Sequence, residues 1–294
     1  MLFNTKKTLK QIITLASKEL EKKELYFGHG TDNAWDEICW LLESLLRNSG
    51  VQTISEDMLI EESILMEFQQ LLERRIQERK PVAYLLNEAW FATLPFYVDE
   101  RVIVPRSPFG ELIQNRLEPL LEEEPESILD LCCGSGCIGL AAALTFPDAK
   151  VELSDLSADA LEVAAINIAK HGLDRRCEAK QSDLFSKLQG PYDLILSNPP
   201  YVGLQEYQDL PAEYKQEPAM ALLSERNGLD IPIKILQTAA NYLNAQGLLI
   251  LEVGNSWQTL VDLYPDAPFL WLDFEQGGEG LCALTKKQLQ KYSF

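Results

Sequence analysis

The sequence predicts an α/β chain: a seven-stranded, Rossmann-like, mostly parallel sheet with one reversed strand, preceded by a small helical domain and a hairpin-like linker. Three observations carry this. From residue 127 onward, short apolar β-rich runs alternate with helical stretches, the order that builds a parallel sheet. Before residue 80, apolar positions recur at helical spacing. The last two strand-like runs are joined only by residues 275–279, too few for a crossover helix, so they pair antiparallel.

The elements follow in order. Residues 1–80 form the helical domain, with Trp35, Ile38, Cys39, Leu42, Leu45 and Leu46 on one face and Ile64, Phe68, Leu71, Leu72 and Ile76 on another. Between the helices lies FGHGTDNAWDE (27–37), where Gly28 and Gly30 break one helix and Asn33 with Asp36 caps the next. Residues 81–106 are aromatic and β-branched without helical period and read as an extended or hairpin linker. The sheet-forming domain spans 107–294. It opens with a helix near 108–121 and a solvated acidic loop at 122–126. Strands are expected at 127–133, 150–155, 177–181, 191–197, 247–253, 269–274 and 280–285.

With 294 residues, 46% apolar and 24% charged, the chain has the composition of a globular protein and none of the bias of fibrous or disordered classes. Acidic residues outnumber basic ones 45 to 26. Residues 1–80 carry 14 acidic and 11 basic side chains, and residues 81–294 the remaining 31 and 15. Such a balance argues against direct DNA binding and suits a basic partner. No apolar run resembles a secretory signal or a membrane span, so a cytoplasmic place away from membranes is expected. The six cysteines read as free thiols; Cys132, Cys133 and Cys137 lack a paired Cys-x-x-Cys set and are expected as small core residues, with no metal site.

Two motifs carry chemistry. The first strand runs into Asp130-Leu-Cys132-Cys133-Gly134-Ser135-Gly136-Cys-Ile-Gly139, where glycines let the backbone approach a ligand at a helix N-terminus. Asp155, after the second strand, is placed to accept hydrogen bonds from two vicinal ribose hydroxyls. This pair alone fits a nicotinamide or an adenosyl cofactor equally. The second motif, Asn198-Pro199-Pro200-Tyr201, follows the fourth strand. Its prolines fix the backbone and remove donors, leaving a carbonyl and the Asn198 side-chain oxygen to accept both N–H bonds of a planar –NH2 group, with Tyr201 packing against the attached plane.

With these motifs the chain resembles S-adenosylmethionine-dependent methyltransferases that carry an NPPY loop, specifically the HemK/Prm protein-glutamine N-methyltransferase family. The resemblance covers nearly the whole chain, including FYVDERVIVPR (96–106) and Glu217-Pro-x-x-Ala221-Leu222. It implies that S-adenosyl-L-methionine is held by Asp130, Cys132, Cys133, Gly134, Ser135 and Gly136 at its methionine part and by Asp155 at its ribose. Asp183 and Leu184 would flank adenine, and Asn198 also counts among the cofactor-binding residues. It further implies that Asn198, Pro199, Pro200 and Tyr201 hold the acceptor glutamine. Cys132 stands where the usual turn has its first glycine, and Leu184 where an aromatic is more common, which implies weaker stacking on adenine.

Residues 27–37 and Pro105-Arg-Ser-Pro108 resemble the branch acting on the third protein of the large ribosomal subunit, a basic substrate. The alternatives are the branch acting on peptide release factors and, through the glycine turn, a nicotinamide-dependent oxidoreductase, which gives Asn-Pro-Pro-Tyr no task. Residues 1–80 are expected to recognise the protein substrate. His29, between two glycines, is expected in loop capping or partner contact and not in proton transfer.

Overall fold

The computed structural model describes residue 3, residues 5–275 and residues 277–294. Those residues fall into two compact units, one of residues 1–89 with 211–216 and one of residues 90–210 with 217–294.

The first unit is helical: α1 (Leu9–Glu21), α2 (Ala34–Asn48), α3 (Glu62–Glu78) and α4 (Val82–Leu86). Thr8 and Gln11 close a capping box on α1, and the Asn33 side chain accepts from the Asp36 amide at 2.9 Å to start α2. Asn33 Nδ2 also donates to Asp36 Oδ2, a side-chain bond in place of the second half of the reciprocal cap expected from the sequence, in which Asp36 would accept from the Asn33 amide. Ile12, Leu41, Leu42 and Phe68 are fully enclosed in its core, whereas Trp35, expected on the buried face, points to solvent while Ala34 and Leu41 turn inward. Arg75, also enclosed, donates from Nε to Glu37 Oε1 at 2.6 Å and from a terminal nitrogen to Glu213 Oε1 at 3.3 Å. Arg79 and the Tyr26 amide also reach Glu213.

α4 lies in a stretch expected to be extended. Pro81 supplies a preset backbone at its N-cap, and burial of Val82 to Leu85 stabilises a helix too short to announce itself by periodicity. The hairpin follows as β1 (Ala89–Phe91) and β2 (Leu94–Phe96).

The second unit continues with α5 (Phe109–Gln114), β3 (Ser127–Leu131), α6 (Cys137–Thr145), β4 (Lys150–Asp155), α7 (Ala158–Lys170), β5 (Cys177–Gln181), β6 (Tyr192–Ser197), α8 (Leu204–Asp209), α9 (Asp230–Thr238), β7 (Leu243–Glu252), α10 (Trp257–Leu263), β8 (Leu270–Trp271), β9 (Leu281–Thr285) and α11 (Lys286–Lys291). α5 ends well short of residue 121, because Arg116 and Leu117 both adopt positive φ. The edge strand β8 is likewise shorter than its apolar run.

The sheet order is β5-β4-β3-β6-β7-β9-β8, with β9 the reversed strand. Both faces are covered. Ile128, Leu194 and Ile250 face one apolar layer, and Leu129, Ile195 and Leu249 the other. Full burial of both faces is why these strands are continuous apolar runs and not alternating ones. β3 pairs in parallel with β4 and with β6, so Leu131 lies opposite Ser154 and Ser197. The ends of the three strands therefore coincide, and the chain reverses direction across the sheet between β3 and β6, the place where open sheets bind ligands. No helix among the described residues is long and apolar enough to cross a membrane.

Candidate active site

The three coincident strand ends open onto a cavity of about 350 Å³. After β3 the chain turns sharply, and Cys132 sits at φ +63, a left-handed conformation that burdens a residue with a side chain. Gly139 allows α6 to press on the sheet: a Cβ there would lie 2.3 Å from Leu153 Cδ2 and 2.7 Å from Asp130 Cβ.

Carboxylates tie the turn together through backbone amides. Asp155 Oδ2 accepts from the Gly134 amide and Oδ1 from the Ser157 amide, both at 2.9 Å. Each carboxylate oxygen keeps a second lone pair, so Asp155, which lines the cavity, can still accept from a ligand hydroxyl. Burial raises its pKa, opposed by those two amides. Asp130 lies behind the turn, fully buried, accepting from the Gly139 amide at 2.7 Å through Oδ2. Its Oδ1 has no hydrogen-bond partner among the described residues, and burial pushes its pKa up to about 7.

Of the residues singled out in the sequence, Cys132, Gly134, Asp155, Asp183, Leu184, Asn198 and Pro200 line this one cavity. Asp130, Cys133, Ser135, Gly136, Pro199 and Tyr201 are not on its wall. Cys133 packs in the apolar core, and the Ser135 carbonyl accepts from Asn167 Nδ2 at 2.9 Å, so these residues shape the turn from behind.

The Asn198 side chain is half-buried at the cavity wall and makes no hydrogen bond to the described residues, which leaves its amide oxygen available. Below it, Ser197 Oγ donates to the Leu131 carbonyl at 2.7 Å, locking the end of β6 to β3. Tyr201 turns away from the cavity, its hydroxyl donating to Glu252 Oε1 at 2.9 Å. Glu252, at the end of β7, also accepts from Ser107 Oγ at 2.5 Å, and burial pushes its pKa up to about 7.

The cavity recruits residues to which sequence reasoning gave no task. Arg101 lines it, held by Asp99 through Nε at 2.9 Å and a terminal nitrogen at 2.7 Å. Pro218, Met220, Ala221 and Leu223 line it as well. Glu217, just before them, is buried and takes two hydrogen bonds from Arg106, at 2.5 and 2.6 Å, and one from the Val104 amide at 2.9 Å. The stretches 96–106 and 217–222, conspicuous separately in the sequence, are thus two halves of one wall.

Residues 113–261 match the Methyltransferase small domain family. The chain is 42% identical to the ribosomal protein uL3 glutamine methyltransferase of Francisella tularensis subsp. tularensis (strain SCHU S4 / Schu 4), over 99% of this chain and 94% of that protein. It is 43% identical to the protein of the same name from Neisseria gonorrhoeae (strain ATCC 700825 / FA 1090), over 96% and 95%. This chain belongs to the uL3 glutamine methyltransferase family. Solved structures agree on the fold of that family. The hMettl16 catalytic domain, in complex with a MAT2A 3′UTR hairpin, is 14% identical with a TM-score of 0.54, covering 84% of this chain and 91% of the other. A methyltransferase from Pyrococcus furiosus is 19% identical with a TM-score of 0.50, covering 73% and 97%.

Proposed function

We propose that this methyltransferase moves the methyl group of S-adenosyl-L-methionine onto the side-chain amide nitrogen of a glutamine in ribosomal protein uL3. The observation that carries the reading is the meeting of Asp155, Gly134 and Asn198 on one cavity wall at the β3–β6 switch point. That wall fits the cofactor: Asp155 retains acceptor capacity for ribose hydroxyls, the turn at Cys132 and Gly134 exposes backbone, and Asp183 and Leu184 offer an edge and a face for adenine. When bound, the cofactor supplies an electrophilic methyl on a sulfonium.

The chain's own residues do the rest. An amide nitrogen is a weak nucleophile because its lone pair is delocalised, so orientation at near-attack distance is the main requirement. The Asn198 oxygen and the Pro199 carbonyl accept its two N–H bonds, aim the nitrogen at the methyl, and stabilise the positive charge that grows there. No general base is assigned; the proton leaves after transfer. Residues 1–80 recognise the protein substrate, with His29 buried and its ring 4.5 Å from that of Tyr214 in a packing role. The acidity of residues 81–294 complements a basic ribosomal protein and disfavours DNA. Reduced thiols, present as six free cysteines, suit a cytoplasmic setting.

The test is methyl transfer from labelled S-adenosyl-L-methionine into purified uL3, a release factor and DNA, followed by mass spectrometry of the acceptor. Label on a uL3 glutamine alone is the expected result. Label on the release factor alone would reassign the substrate and leave the chemistry standing.

A further inference from the structure

Asn198 and Pro199 can orient an amide only if their loop is itself held still, and the holding groups lie outside the motif. β6 and β7 run parallel with Ser197 opposite Leu251, so Glu252 emerges directly beside Asn198 at the same end of the sheet. The Glu252 carboxylate is buried at 3% exposure and divides its oxygens between two hydroxyls: Oε1 accepts from Tyr201 at 2.9 Å and Oε2 from Ser107 at 2.5 Å. Ser107 is fixed in turn, its Oγ accepting from the Phe109 amide at 3.1 Å. The Tyr201 ring lies against Gly254, where any Cβ would come within 2.4 Å of ring carbon Cε2. Its carbonyl accepts from Ser256 Oγ at 3.0 Å. Tyr201 is thus clamped at the hydroxyl, the ring face and the backbone, and two intervening prolines give the loop little freedom to relax around it.

We propose that Glu252, seated by Ser107, is a positioning residue for methyl transfer: it fixes the Tyr201 hydroxyl and thereby the angle at which Asn198 and the Pro199 carbonyl meet the acceptor amide. The proposal rests on the transfer reading above. Glu252 touches neither acceptor nor cofactor, so its effect is on turnover and not on cofactor affinity.

The experiment is a double-mutant cycle on the full chain with uL3 as acceptor, joined to hydrogen exchange of the Tyr201 and Val202 amides in the absence of substrate. Glu252→Ala is expected to lower kcat about 100-fold, the scale of a misplacement near 1 Å, with the dissociation constant for S-adenosyl-L-methionine within about twofold of wild type. Glu252→Gln, which keeps an acceptor for the tyrosine hydroxyl, recovers most of that loss. Tyr201→Phe deletes a single oxygen, leaves the fold intact, and slows wild type about tenfold, as loss of one charge-assisted hydrogen bond would. In the Glu252→Ala background the same change costs nothing further, because the two residues act as one unit. Exchange at the two amides rises in Glu252→Ala. Losses that simply multiply, or exchange that stays at the wild-type rate, would overturn the proposal. If wild type methylates no glutamine, the transfer reading falls, and exchange alone decides whether Glu252 holds the loop.

Discussion

The glycine turn after β3 and the Asn198–Tyr201 loop after β6 sit at neighbouring strand ends and are held by different means. The turn is tied by backbone amides to nearby carboxylates: Gly134 and Ser157 to Asp155, Gly139 to Asp130. The loop is tied by side chains from far away, Tyr201 to Glu252 and Glu252 to Ser107. Under the proposed function, the contact with an unvarying small molecule is built into the main chain. The contact that must present a particular angle to a protein side chain is braced by side chains.

The largest effect that sharpens this contrast is expected from Asn198→Ala. Loss of an acceptor that strengthens in the transition state should lower kcat about 10²- to 10³-fold, with cofactor affinity unchanged by calorimetry. Equal losses in both would mean that the loop belongs to the cofactor half after all. Next comes Gly139→Ala, whose methyl must displace Leu153 and Asp130; overpacking there should cost about 1–3 kcal/mol in urea unfolding.

Asp155→Asn should weaken S-adenosyl-L-methionine about tenfold in calorimetry while leaving kcat at saturating cofactor within a few-fold. It trades a charged acceptor for a neutral one at a single ligand contact. The smallest effect is a change of shape. Asp130 and Glu252 each titrate near 7 in the folded protein, against ordinary values of 3.8 and 4.5. A raised carboxyl pKa means that the folded state holds the proton more tightly, so its stabilisation is complete below the unfolded pKa and is lost as pH rises through about 7. Wild type should therefore lose stability between about pH 4 and pH 7, and Asp130→Asn, which cannot ionise, should show a flatter profile in urea midpoints over that range.

The same contrast explains what the sequence made legible. The turn announces itself because every part of it is local: glycines, a cysteine and an acid within one strand-turn-helix-strand passage, at spacings the fold repeats. The loop's four residues are equally visible, but their bracing is not, since Glu252 is 51 positions from Tyr201 and 145 from Ser107. Only the β6–β7 register brings them together, and a glutamate ending an apolar strand looks like any solvated strand end. Arg101 and Glu217 were hidden for a related reason. Each lies in a recognisable stretch, but the cavity that Arg101 lines and the pairing of Glu217 with Arg106, 111 positions away, arise only in the fold. The short helix 82–86 and the truncated helix at 109–114 show the local limit, where burial and two left-handed residues outweigh apolar spacing.

The helical unit also has a history written into it, because residues 211–216 complete it from beyond the acceptor loop. Glu37, Arg75 and Arg79 are all made within the first 80 residues, and Glu213 follows more than 130 positions later. On a ribosome delivering the chain from its N-terminus, the early segment pairs buried Arg75 with Glu37, while the groups that Glu213 will meet, Arg75, Arg79 and the Tyr26 amide, still lack that acceptor. The set is complete only when residue 213 emerges, after Asn198 to Tyr201 have been synthesised. Completion of the helical unit is in that sense a checkpoint in time, passed only by chains that already carry residues 198–201.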